Sequence, residues 1–106
     1  MRRGEIWTLQ DKNYASKARP VVIIQDDSRN SFDSVILCLF TTFESSNIET
    51  RVLVKASPEN GLYKDSYVMT DKIVTVDKSI LGESIGKLSE SDMKAVSDQL
   101  KVVLGL

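Results

Sequence analysis

The side chains available for catalysis are limited, because the 106 residues include no histidine and a single cysteine, Cys38. Histidine is the commonest general base near neutral pH and the commonest metal ligand. A zinc site without histidine would need several cysteines. Cys38 lies within an apolar run, which predicts a buried core thiol. Any hydrolytic chemistry must therefore use carboxylates, hydroxyls, lysine or arginine, and we expect neither a metal site nor a cofactor.

Basic side chains are concentrated near the start of the chain. The net charge is −1, which argues against a broadly basic nucleic-acid-binding protein. Residues 1–20 nevertheless carry a balance of +3, so the remainder carries −4. A nucleic-acid site should therefore draw on this segment. Its cations are Arg2, Arg3, Lys12, Lys17 and Arg19.

The length of the chain fits a single domain, residues 1–106. No apolar run approaches the roughly 20 residues that a membrane-spanning helix needs. The basic start is not followed by the apolar region of a signal peptide. We therefore expect a cytoplasmic protein without a membrane partner.

Alternating and β-branched segments over the first three-quarters of the chain predict a series of short strands. The expected strands are 5–9, 20–24, 35–40, 50–54, 66–69 and 72–76, with a further short strand at 85–88. The segment 35–40 is apolar at successive positions, which is typical of a central strand that is covered on both faces. Residues 57–61 (SPENG) predict a turn.

The end of the chain has helical periodicity. Ser89 and Asp92 form a variant of the capping box, and Leu88 and Met93 are placed to form a hydrophobic staple around it. Apolar residues then recur every three or four positions. The pattern predicts a helix over 90–104 that stops at Gly105. Many short strands and one amphipathic helix predict a mainly β (α+β) fold, in which a bent sheet or small barrel carries the helix.

Several of these segments resemble the MazF/PemK toxins of type II toxin–antitoxin systems. The matching stretches are RGEIW at 3–7, ARPVVIIQDD at 18–27, VILCLFTT at 35–42, DSYVMTDKIVTVDK at 65–78 and GKL at 86–88. They cover nearly the whole chain, together with the terminal helix. The combination of the second and fourth stretches is the most specific part of the resemblance.

The resemblance implies a CcdB/PemK-like, SH3-like small barrel that forms a homodimer, with RNA bound along a groove at the subunit interface. It implies a metal-independent endoribonuclease that cuts single-stranded RNA, either mRNA or tRNA, at specific sequences. In that reaction a ribose 2′-OH attacks the adjacent phosphate and leaves 2′,3′-cyclic phosphate and 5′-OH ends. A cognate antitoxin would neutralise the activity.

The resemblance also implies roles for individual residues. Arg19 matches the catalytic arginine of the family and Thr41 its catalytic threonine, with Thr42 as the substitute if the strand register differs by one. Asp71 matches a position that lines the RNA groove. A guanidinium and a hydroxyl can stabilise the negative charge that builds on the phosphate oxygens. Arginine is a poor base, so the proton acceptor is left open, with Glu5 and Asp71 as weak candidates.

One loop departs from the family pattern. Residues 11–18 form a shorter loop before Arg19 than many members carry, and it lacks their glutamate. Within it, Tyr14 could stack on a base, and Lys12 and Lys17 could hold phosphates. The departure leaves the cleavage sequence and the class of RNA open.

Two alternatives remain at this stage. CcdB-type toxins share the fold but poison DNA gyrase, which they contact through a Trp-Gly-Ile C-terminus, and this chain has Leu104-Gly105-Leu106 there. A non-enzymatic binding barrel is the second alternative. RNA cleavage in the presence of EDTA would separate the nuclease from both.

Overall fold

A computed structural model of the protein describes residues 1–10, 18–29 and 31–106. The strands are β1 (Glu5–Leu9), β2 (Arg19–Ile23), β3 (Ser34–Thr41), β4 (Val52–Val54), β5 (Ser66–Asp77) and β6 (Leu81–Lys87). One helix, α1 (Glu90–Leu104), follows them. Short 3-10 helices lie at Asp27–Arg29 and Lys78–Ile80. The prediction of a mainly β fold with a C-terminal helix is confirmed.

The six strands form one antiparallel sheet in the order β4-β5-β3-β2-β1-β6. The strand β3 pairs with β2 on one side and with β5 on the other. Val35 and Leu37 are buried on one face of β3 and Cys38 and Phe40 on the other, as the sequence predicted for a central strand, whereas Ile36 is exposed.

The two faces of the sheet carry separate cores. Cys38 and Phe40 of β3 point toward α1, where Val96 and Leu100 meet them. Leu37 points to the other face, because side chains alternate along a strand. The first core contains Ile6, Val22, Cys38, Phe40, Val54, Leu62, Val68, Leu88, Val96 and Leu100. The second contains Leu9, Val21, Ile23, Val35, Leu37, Val76 and Leu81.

The helix begins and ends where its local signals indicate. The Ser89 hydroxyl accepts a hydrogen bond from the backbone N–H of Asp92 at 3.1 Å, which caps the first turn. Leu88 is buried and Met93 packs against the same core. Gly105 adopts φ 70°, a left-handed conformation that closes the C-terminus. The predicted range 90–104 is confirmed.

The strand β5 differs from its prediction as two strands. Cys38 pairs with Ile73, and the next residue, Leu39, pairs with Met69. Residues 70–72 therefore bulge out of the ladder within one continuous strand. Three further strands differ in length: β3 runs over Ser34–Thr41 rather than 35–40, β4 starts at Val52 rather than at residue 50, and β6 starts at Leu81 rather than at residue 85.

The turn at residues 57–61 packs tightly against β6. A Cβ added to Gly86 would lie 2.4 Å from the backbone carbonyl carbon of Asn60 and 2.5 Å from the carbonyl oxygen of Glu59. The Asn60 side chain is buried and accepts hydrogen bonds from the N–H groups of Ser57 and Leu62, both at 3.0 Å. The approach of backbone to backbone therefore requires glycine at position 86.

We expect Gly86→Ala to lower the free energy of unfolding by about 1–3 kcal/mol, because backbone atoms must move to admit the methyl group. The midpoint of thermal unfolding should fall by several degrees. Ser84→Ala, at an exposed position of the same strand, is the matched control and should stay within about 0.5 kcal/mol of the parent protein. Equal midpoints of thermal unfolding for the two variants would show that the turn can move to admit the methyl group without a loss of stability.

Candidate active site

Arg19 and Thr41 lie at the start of β2 and at the end of β3, two neighbouring strands. Val21 pairs with Leu39 and Ile23 with Leu37. The same register, continued for two residues, places Arg19 opposite Thr41, at the start of β2 and the end of β3. Residues paired across strands project from the same face of a sheet. The two side chains that the family resemblance selected therefore share one end and one face of the sheet, with Arg19 exposed and Thr41 half-buried.

Tyr67, on β5, lies next to these two residues, so that Arg19, Thr41 and Tyr67 form a row across three neighbouring strands. It pairs with Thr41, and its hydroxyl donates to Oε1 of Glu44 at 2.8 Å. The Ser46 side chain and amide hold the pKa of Glu44 below its usual range, and the Tyr67 hydroxyl lowers that pKa further. The same bond to Glu44 raises the pKa of Tyr67. Glu44 is therefore an ionised carboxylate at neutral pH, held close to the Arg19–Thr41 row.

The Thr41 hydroxyl also organises the chain that leaves β3. Its Oγ1 accepts a hydrogen bond from the backbone N–H of Phe43 at 3.1 Å. A threonine that bonds two residues ahead forms a tight turn at the end of the strand. Thr42, the predicted alternative to Thr41 as the catalytic threonine, lies within this turn and is exposed.

Asp71 lies in the bulge of β5 and is already paired. Arg51 donates from Nε and from one terminal nitrogen to the two carboxylate oxygens, both at 3.1 Å. The other terminal nitrogen donates to the hydroxyl of Ser45 at 3.2 Å. Arg51 holds the pKa of Asp71 below its usual range, and Asp71 raises that of Arg51. Asp71 was predicted to line the RNA groove; its observed partner is Arg51, and contact with RNA stays a prediction.

Glu5 is a wrong choice for the catalytic base. Leu9 is the residue of β1 that pairs with Arg19, and Glu5 lies at the other end of that strand. Four residues of extended chain separate the two ends by about 13 Å. Glu5 instead accepts hydrogen bonds from the backbone N–H of Arg2 at 2.7 Å and from the Trp7 indole at 3.2 Å.

The basic residues near the start of the chain do not act as one group. Arg3 donates to the backbone carbonyl of Ile24 and to the Ser97 hydroxyl, so it links the start of the chain to α1. Arg2 lies 3.8 Å from Asp27. Both precede β1, far from Arg19. The predicted positions Lys12, Tyr14 and Lys17 lie outside the described residues, and their roles stay predictions.

Three residues of this region were missed by the sequence reasoning: Glu44, Tyr67 and Arg51. Their roles come from two hydrogen-bonded pairs, Tyr67 with Glu44 and Arg51 with Asp71. The partners in each pair are 20 or more positions apart in the sequence, and no local pattern predicts such contacts. By contrast, Cys38 is fully buried as predicted, and burial raises the pKa of its thiol to about 12.

No three histidine, cysteine, aspartate or glutamate side chains within residues 1–10, 18–29 and 31–106 are grouped so that they could hold a metal ion. None of the helices that the structure describes is long and apolar enough to cross a membrane.

The fold places the chain in a class of small, mainly β toxin domains. The Mycobacterium tuberculosis toxin MazF-mt6 superimposes with a TM-score of 0.81 at 30% identity, over 96% of this chain and 97% of that one. An endoribonuclease in complex with its cognate antitoxin, from Mycobacterial species, gives 0.83 at 29% identity, over 100% of this chain and 96% of that one.

The sequence comparison identifies the family. Residues 2–104 match the family described as PemK-like, MazF-like toxin of type II toxin–antitoxin system, and the chain belongs to that family. A probable endoribonuclease MazF of Mycolicibacterium smegmatis is 39% identical over 107 residues, covering 100% of this chain and 98% of that protein. The family resemblance predicted from the sequence is therefore confirmed.

The pairing of Arg51 with Asp71 should stabilise the fold in a pH-dependent way. We expect Asp71→Asn to lower the free energy of unfolding at pH 7 by about 0.5–1 kcal/mol, as measured by urea denaturation. Because the folded state lowers the pKa of Asp71, the parent protein has this advantage above pH 3.8 and loses it as the pH falls through the lowered value.

The difference between Asp71→Asn and the parent should therefore shrink between pH 7 and pH 3. The exposed pair of Lys94 and Asp98, at 2.9 Å on α1, provides the control. Asp98→Asn should cost no more than about 0.5 kcal/mol at pH 7. A destabilisation by Asp71→Asn that is the same at both pH values would exclude the ion pair as its cause.

Proposed function

We propose that the protein is a metal-independent endoribonuclease toxin that cuts single-stranded RNA at specific sequences. The observation that carries the proposal is the β2–β3 register, which pairs Val21 with Leu39 and, continued by two residues, brings Arg19 to Thr41. Membership of the MazF/PemK family and the relatives named as endoribonucleases support it. The catalytic unit is a single domain over residues 1–106, acting in the cytoplasm.

The chemistry needs donors aimed at one phosphate. When the ribose 2′-OH attacks, negative charge builds on the non-bridging oxygens before the 5′ oxygen leaves. Arg19 offers a planar fork of N–H donors on a cationic group. Thr41 adds a hydroxyl from the neighbouring strand. Donors fixed before the reaction stabilise the transition state without reorganisation. The products are a 2′,3′-cyclic phosphate and a 5′-OH end, and no metal ion is needed.

The proton of the 2′-OH requires an acceptor that the proposal does not assign. Glu44 is a carboxylate close to the row, but a group with a lowered pKa accepts a proton poorly at neutral pH. Its bond to Tyr67 fits a positioning role better. Asp71 is held by Arg51 in the same ionised state.

A homodimer is part of the proposal. A largely apolar groove of about 650 Å³ lies between β3, β5, the C-terminal half of α1 and the segment that joins β2 to β3. Ile36, Ile73, Leu100 and Leu104 line it, and Ile36 and Leu104 remain exposed in the single chain. Exposed apolar patches of this kind mark surfaces that contact other proteins. A second copy of the chain would cover this surface.

A cognate antitoxin would neutralise the toxin by lying over the RNA groove. A relative of this chain was solved in complex with its own antitoxin. A disordered acidic segment that folds over the groove would compete with RNA for the same cations. Lys12, Tyr14, Lys17, Thr42 and Asp71 are the further residues that we propose contact RNA.

Arg19→Ala should reduce RNA cleavage at least a hundredfold, because one preorganised donor contributes about 2.7–4 kcal/mol to the transition state. Thr41→Val, which keeps the β-branched shape but lacks the hydroxyl, should lower the rate by a similar factor. The measurement is the initial rate on end-labelled RNA in EDTA, with the termini of the products analysed.

Arg2→Ala is the matched control, since Arg2 is an exposed arginine of the same basic segment at the other end of β1. It should cut RNA like the parent protein. Full activity of Arg19→Ala would refute the site. Inhibition of DNA gyrase by the parent protein without RNA cleavage would favour the CcdB-type alternative.

A further inference from the structure

Phe43 is an aromatic side chain that the fold leaves in solvent. It is 78% exposed, in the loop of residues 42–51 that joins β3 to β4. A large aromatic side chain gains free energy by burial, and the residues that the structure describes leave most of this one uncovered. An exposed aromatic ring beside a polar site is the kind of surface on which nucleobases stack.

The position of Phe43 is tied to the proposed active site. Its backbone N–H donates to the Thr41 hydroxyl at 3.1 Å. Thr41 faces Arg19 across the strand pair, so the aromatic residue follows directly from the phosphate-binding row. A base lies within one nucleotide of its phosphate, and an RNA strand held by Arg19 and Thr41 would bring a base to this loop.

The loop is held in place, so the exposure of Phe43 is a property of the fold. The hydroxyl of Ser45, which is buried, donates to the Phe43 carbonyl at 2.9 Å. Arg51 reaches the same hydroxyl and Asp71 of β5. Glu44 is tied to β5 by the Tyr67 hydroxyl. These bonds fix the backbone on both sides of Phe43 and keep its ring away from the core.

Charge determines which part of an RNA strand can occupy this place. The ionised carboxylate of Glu44 is the next residue along the loop and repels phosphates from it. Arg19 attracts them on the other side of Thr41. An uncharged base is therefore favoured over the phosphodiester backbone at Phe43.

We propose that Phe43 is a stacking platform for one nucleobase of the RNA, next to the phosphate that Arg19 and Thr41 bind. The inference rests on the proposed function, because it takes RNA as the ligand. Stacking accepts any base, so Phe43 contributes affinity and position rather than sequence recognition. It orders the nucleotide whose phosphate is to be cut.

The test measures binding to RNA that cannot be cleaved. The probe is a fluorescein-labelled 2′-O-methyl RNA with the sequence that the parent protein cuts or, if it cuts none, a random-sequence pool of the same chemistry. Phe43→Ala should bind about 5- to 150-fold more weakly by fluorescence anisotropy, the range for one lost stack. Phe43→Tyr keeps the ring and should restore most of the affinity.

Tyr63→Ala is the matched control, because Tyr63 is a 98% exposed aromatic residue in another loop, between β4 and β5. It should bind RNA like the parent protein. On the probe of defined sequence, replacing each nucleotide in turn by an abasic one should reveal one position at which Phe43→Ala causes no further loss. Thermal unfolding of every variant verifies that the fold is kept.

The outcomes separate this inference from the nuclease proposal. Unchanged RNA affinity in Phe43→Ala overturns the stacking role, even if the parent protein cleaves RNA and Arg19→Ala does not. An equal loss in Tyr63→Ala, or a loss that persists at every abasic position, also overturns it. So does a Phe43→Ala protein that binds RNA normally but no longer binds the antitoxin. If the predicted binding pattern is found with a parent protein that cuts no RNA, only the nuclease proposal fails.

Discussion

The register of the central strand β3 is the constraint on which the site depends. Its register with β2, continued two residues beyond the pair Val21–Leu39, brings Thr41 to Arg19, and its pairing with β5 sets Thr41 against Tyr67. A shift of one residue would move each of these side chains to the opposite face of the sheet. Such a shift is costly because β3 is covered on both faces, with Leu37 in one core and Cys38 in the other. The two hydrophobic cores therefore hold the polar row in place.

The bulge in β5 allows the loop after Thr41 to be held rigidly. It turns Asp71 out of the regular ladder and toward Arg51, whose guanidinium also reaches Ser45. A second contact, the hydrogen bond from the Tyr67 hydroxyl to Glu44, also holds this loop. Polar groups that are bonded to fixed partners lose little freedom when a substrate binds, which is how an exposed site can be preorganised. The loop combines a held backbone with an exposed ring at Phe43.

Charge in this chain is used locally rather than over a broad surface. The net charge of −1 leaves no general attraction for RNA. Arg3 is bonded within the fold, and Arg51 is paired with Asp71. Arg19 stands exposed at the end of the sheet where β3 finishes. The RNA binding that we propose therefore relies on individually placed groups such as Arg19 rather than on a broadly basic surface.

Local chemistry was sufficient to predict α1, the buried Cys38 and most strand positions. The ends of the helix depend on groups within a few residues, namely the Ser89 cap and the left-handed Gly105, so a short stretch of sequence specifies them. Family likeness selected Arg19 and Thr41, but it could not say that they share a face. That placement, the continuous β5 with its bulge, and the partners Arg51, Glu44 and Tyr67 depend on contacts between distant segments. Such contacts are set by the packing of whole strands, and this is why only the tertiary structure decided them.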